Sequence, residues 1–114
     1  MTLPDIVERR LTAEGLELVL LVKPELLYFQ GHFPGLPILP GVVQLHWAAC
    51  FGAEHFGLSL KSHRMEAVKF QAVITPGLTL QLTLHYDRDK GRLAFHYRSE
   101  QGDHASGRIA MEAA

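Results

Sequence analysis

The chain has a single cysteine, Cys50, among 114 residues. No internal disulfide can form and no multi-cysteine metal site can be built, which fits a reducing compartment and makes the cytoplasm the default location. There is no block of basic residues either: eleven lysines and arginines are spread among twelve acidic residues, for a formal charge of -1. Nothing in that distribution suits tracking a phosphate backbone, so nucleic acid is not expected as a partner. Long apolar runs are missing too. No segment reaches the roughly 20 residues that span a bilayer, and Asp5, Glu8, Arg9 and Arg10 stand where a secretory leader would need an apolar stretch. Repeats, low-complexity linkers and shifts of composition are absent. A composition 47% hydrophobic and 20% charged then points to one soluble domain over residues 1–114. A domain this small buries a modest share of its surface, so completion by a second subunit is expected.

What is present is patterned. Leu16 to Val22 is rich in Leu and Val after the Glu14-Gly15 turn signal, and Leu26 to Gln30 continues extended; both read as strand. From Gly41 to Phe56 the apolar residues leave little room for a polar face, which predicts a helix buried on most sides and ending at Gly57. Pro40 suits the first turn of that helix. The period then changes to two. Val68, Phe70, Ala72 and Ile74 alternate up to the break at Thr75-Pro76-Gly77, Leu78 to Tyr86 alternates strongly, and Leu93 to Tyr97 follows a turn at Asp87 to Gly91. After Gln101-Gly102-Asp103, Ala105 to Glu112 forms a last strand. The order predicts an α+β fold in which a curved antiparallel sheet wraps one long buried helix.

Between the first strands and the helix lies GHFPGLPILPG, Gly31 to Gly41. Pro34, Pro37 and Pro40 fix their own φ and bias Phe33, Leu36 and Leu39 toward extended conformations, so the loop loses little entropy on being held in one shape. Such a loop can place a histidine, His32. Gly41 falls where a helix N-terminus exposes unpaired N–H groups, donors that suit a developing oxyanion.

This segment resembles the active-site signature of the hot-dog-fold 3-hydroxyacyl-(acyl carrier protein) dehydratases. AVKFQAVITPGLTLQL, residues 67 to 82, is similar to that family's strand pair, and PILPGVVQLHWA resembles the short dehydratases of aryl polyene pathways. The resemblance implies a hot-dog homodimer, or a higher homo-oligomer, with active sites between subunits. It implies loss of water from a (3R)-hydroxyacyl thioester to a trans-2-enoyl thioester, on acyl carrier protein, in fatty acid or polyene synthesis and without a cofactor. His32 is then the base that takes the C2 proton, the Gly41 N–H polarises the thioester carbonyl, and Phe33, Gly41 and Val42 line the substrate site. The family's carboxylic acid, which protonates the leaving hydroxyl from the neighbouring subunit, falls at a position occupied here by His46. An imidazole titrates near about 6.5 and can run proton transfer in either direction near neutral pH.

That departure leaves alternatives open: a hot-dog thioesterase, or a non-catalytic acyl-binding subunit completing a heterodimer with a chain that retains the carboxylate. Gln44 and Glu54 are the other polar groups on the helix, and Glu54, about 12 Å beyond His46 along the axis, is a poor replacement for it. Cys50 lies one turn after His46 and shares its face, though a small buried hydrophobe is its ordinary reading. His85, His96 and His104 fall on different strands and give no metal-ligand spacing. Lys61, Arg64 and Lys69 are candidates to meet an acidic carrier protein, with solvated surface charge as the plainer account.

Overall fold

The computed structural model describes residues 3–24 and 37–114. Within them the elements are β1 (Asp5–Leu11), β2 (Leu16–Leu21), α1 (Gly41–Phe56), β3 (Leu58–Phe70), β4 (Thr79–Asp87), β5 (Arg92–Ser99) and β6 (Gly102–Ala113). Among the described residues the six strands make one antiparallel sheet in the order β1-β2-β4-β5-β6-β3.

The alternation read along the chain builds the inner face of this sheet. Leu16, Leu18 and Leu20 of β2 stand opposite Leu84, Leu82 and Leu80 of β4. Leu82 and Leu84 in turn face Tyr97 and Phe95 of β5, and Leu93 faces Ile109 of β6. All of them are buried in one cluster with Trp47, Ala48 and Phe51 of α1. Each buried leucine contributes roughly 1.5–3 kcal/mol relative to exposure, so the helix and the sheet hold each other in place. Gly57, at φ 70°, terminates α1 in the left-handed conformation and bonds back to Ala53.

The helix is not buried all round. Gln44, Trp47, Ala48 and Phe51 face the core, whereas Val42 is 67% exposed and His46, Cys50 and Ala53 are only partly covered on the same stripe. Pro40 is the N-cap residue, with φ -60° and ψ 144°, one place outside the first turn.

The strands depart further from the periodic reading. β1 went unread because all seven of its residues are exposed, and a strand with no buried face leaves no alternation. β3 begins directly after the helix and is 13 residues long, ending at Phe70 rather than running to Ile74. A register shift between Glu66 and Lys69, with Ala67 at φ 52°, changes its phase. Phe70 stands opposite the buried Ala105, on the helix side of the sheet, yet is 53% exposed, while Ile74 is buried. The expected strand Leu26 to Gln30 lies outside the described residues.

Candidate active site

The start of α1 opens onto a groove of about 480 Å³ whose walls include Leu39, Pro40, Gly41 and Gln44 on one side and Phe70 to Val73 on the other. The lining is mostly apolar, as acyl-binding pockets are. No side chain caps the helix. Its third and fourth N–H groups, of Val43 and Gln44, bond the Pro40 carbonyl at 3.1 and 3.3 Å. The N–H groups of Gly41 and Val42 stand ahead of any intrahelical acceptor and carry the positive end of the helix dipole.

Glycine at position 41 permits a close approach. A Cβ there would lie 2.7 Å from Cζ of Phe70. The exposed ring at the end of β3 therefore sits directly against the helix N-terminus, at a spacing only a residue without a side chain permits.

The opposite wall is pinned from behind. Leu39 N–H donates to Ile74 O at 2.8 Å, and the N–H groups of Gln71 and Ala72 donate to His104 O at 2.8 and 3.2 Å. The fully buried His104 ring completes the clamp. Its Nδ1 lies 3.1 Å from Val73 O and 3.3 Å from Ala72 O, and its Nε2 lies 2.7 Å from Ser99 Oγ. Two carbonyls can only accept, so the hydrogen sits on Nδ1. Tyr97, also fully buried, donates its hydroxyl to Gln44 O at 2.6 Å and ties the first turn of α1 to the sheet. Burial holds its phenol well above the ordinary tyrosine range.

Of the residues singled out from the sequence, Gly41 lines the groove. Val42 and His46 are absent from its lining and lie on the exposed stripe of the helix. His32 and Phe33 lie outside the described residues. Cys50 Sγ approaches His46 Nε2 to 3.3 Å, so the pair does meet, but burial pushes the thiol up in pKa and leaves it no activated nucleophile. The other histidines are placed apart: His96 Nε2 contacts Asp103 at 2.8 Å, and His85 contacts Glu14 O. Two groove residues escaped the sequence reading. Alternation alone places Phe70 on one strand face with Val68, Ala72 and Ile74, and Gln44 reads only as a polar group on the helix. The available signal for Gln44 was its position three residues after Gly41 in an otherwise apolar segment.

A family model described as ApeI-like, the ApeI dehydratase, matches residues 8–108. The chain belongs to the ApeI-like dehydratase family. A solved structure named the dehydratase heterocomplex ApeI:P, from Xenorhabdus doucetiae, superposes with a TM-score of 0.86 at 35% identity, covering 97% of this chain and 98% of that one. The sheet curled around one helix is thus the hot-dog fold that the sequence resemblance implied. Two curated relatives share the name 3-hydroxyacyl-[acyl-carrier-protein] dehydratase FabZ. The one from Cereibacter sphaeroides (strain ATCC 17025) is 33% identical over 96% of this chain and 72% of its own length. The one from Chloroflexus aggregans is 41% identical over 54% of this chain and 47% of its own length. Across the first such relatives the chain spans about half to two thirds of their length, from 47% to 64%.

Proposed function

We propose that the protein removes water from a (3R)-3-hydroxyacyl thioester on acyl carrier protein, giving the trans-2-enoyl thioester, in fatty acid or aryl polyene synthesis and without a cofactor. The observation that carries this reading is the apolar groove lined by the uncapped helix N-terminus at Gly41, in a chain of dehydratase kinship. An N–H pair at that end is placed to hold a thioester carbonyl as negative charge develops on it. With the carbonyl so polarised, His32 removes the C2 proton, the C3–O bond breaks as the C2=C3 bond forms, and His46 delivers a proton to the departing hydroxyl.

His46 acts in this scheme across a subunit boundary. Its stripe on α1, with Val42, Cys50 and Ala53, is apolar and incompletely covered. β3 ends the sheet order, with the exposed Leu60 and Phe70 along it, and an edge strand of that kind suits pairing with a second copy. A homodimer brings each His46 toward the other chain's groove. No helix among the described residues is long and apolar enough to cross a membrane, and we place the reaction in the cytoplasm.

A second reading is favoured by one finding, the heterocomplex named for the Xenorhabdus structure. On it, this chain pairs with a different chain that supplies the carboxylic acid, His46 being no acid at all.

The test is a dehydration and hydration assay on matched 3-hydroxyacyl and enoyl thioesters with wild type, His32→Ala and His46→Ala. Loss of a general acid or base costs about 10²–10⁴-fold, so both variants are expected to fall that far. An unchanged rate in His32→Ala overturns the base assignment. Wild type that is inert alone and active only with a second dehydratase chain favours the heteromer, and free thiol released without enoyl product marks a thioesterase.

A further inference from the structure

Among the described residues one buried side-chain oxygen or nitrogen lacks a hydrogen-bond partner, Gln44 Oε1, and Gln44 lines the groove at Gly41. The residue is 3% exposed. Its orientation is not free. Nε2 lies 3.2 Å from the Leu39 carbonyl, which can only accept, so the amide nitrogen must face Leu39 and the oxygen must face away from it. The backbone is held as well, by the Tyr97 hydroxyl on Gln44 O. A buried acceptor left unpaired is costly, and one held unpaired by contacts on both sides is a prepared site for a donor.

We propose that Gln44 Oε1 accepts a hydrogen bond from the C3 hydroxyl of the substrate, making Gln44 the residue that selects 3-hydroxyacyl thioesters over their saturated counterparts. The inference rests on the dehydration reading. Gly41 and Gln44 are three residues apart on one helix face, about 4.5 Å along the axis. A donor pair at the helix start and an acceptor less than one turn deeper match a carbonyl at C1 and a hydroxyl at C3, with one carbon between them. The other donor on such a thioester, the nearest amide N–H of a pantetheine arm, lies beyond the sulfur on the opposite side of the carbonyl. With its hydrogen engaged by Oε1, the hydroxyl oxygen keeps its lone pairs turned toward the acid that must protonate it.

Gln44→Met removes the acceptor at similar volume, and the assay reads KM and kcat separately in both directions. The expected result is a KM for the 3-hydroxyacyl thioester raised about tenfold with the dehydration kcat unchanged. Hydration must then lose the same factor in kcat at an unchanged enoyl KM, because the overall equilibrium is fixed. Equal rises of KM in both directions place the contact on the thiol arm and overturn the proposal. Falling kcat in both directions at unchanged KM does so too, by showing that Gln44 serves only the helix. Should Gln44→Met not fold, wild type decides: 3-hydroxyacyl thioester binds about tenfold tighter than the saturated thioester measured as a competitive inhibitor, and equal affinities refute the contact. If wild type turns over neither thioester, alone or with a second dehydratase chain, the dehydration reading fails, and direct binding of the same two ligands still judges Gln44.

Discussion

Adding a single methyl at Gly41 separates catalysis from stability in this fold. The Cβ of Gly41→Ala would stand 2.7, 3.0 and 3.2 Å from three ring carbons of Phe70, whereas carbon atoms rest at roughly 3.5–4.0 Å. The ring must therefore withdraw by about 1 Å. It is free to do so, being 53% exposed. Turning a side chain off its rotamer costs about 0.5–1.5 kcal/mol, and alanine in place of glycine in helical backbone returns about 0.4–1 kcal/mol. The two nearly cancel, so the melting temperature should move by no more than about 4 °C. Activity should not survive as well. With the thioester carbonyl held by these N–H groups as proposed, a shift of about 1 Å in the wall against them is worth about 10²-fold in rate. The measurements are enoyl thioester absorbance for the rate and circular dichroism for the melt. A Gly41→Ala protein that melts normally and turns over at the wild-type rate refutes the placement of the thioester at this helix start. One that loses many degrees shows that the ring was not free to turn.

Tyr97→Phe should cost about 1 kcal/mol at neutral pH, read by urea unfolding, because it deletes the hydroxyl bonded to Gln44 O. Its second effect is on pH dependence. Burial raises the phenol's pKa in the folded protein above its ordinary value of 10.0, so the unfolded chain ionises first and wild-type stability declines as pH rises above about 10. The variant should lack that share of the decline, and identical alkaline profiles would contradict the burial argument. His104→Ala should destabilise by about 2–3 kcal/mol, since it strips donors from the Ala72 and Val73 carbonyls and the partner from Ser99. Because Gln71 and Ala72 bond to His104 O, hydrogen exchange at their amides should quicken. Unchanged protection there would mean that the groove wall is held by something other than the histidine.

Much of this was written in local chemistry. The bounds of α1, from Gly41 to Phe56 with Gly57 after it, follow from an apolar run between a proline and a glycine that adopts φ 70°. β2, β4 and β5 follow from leucines and aromatics at period two, because each strand buries one face against the same helix. The family signature was likewise legible, and with it the loop that leads into the helix start at Gly41, since a Pro/Gly-rich loop ahead of a helix constrains the backbone by sequence alone. Three things were not. β1 buries no face and exists through its pairing with β2. Phe70 lies on the helix side, opposite the buried Ala105, yet its ring is exposed because it ends an edge strand beside the helix start. Gln44 acquired meaning only when the fold brought it to the groove with its amide nitrogen on Leu39 O and its amide oxygen unpartnered. Periodicity reports which residues share a face, which depends on the local backbone alone; what that face meets is settled by strands and loops distant in sequence, and only tertiary packing brings those together.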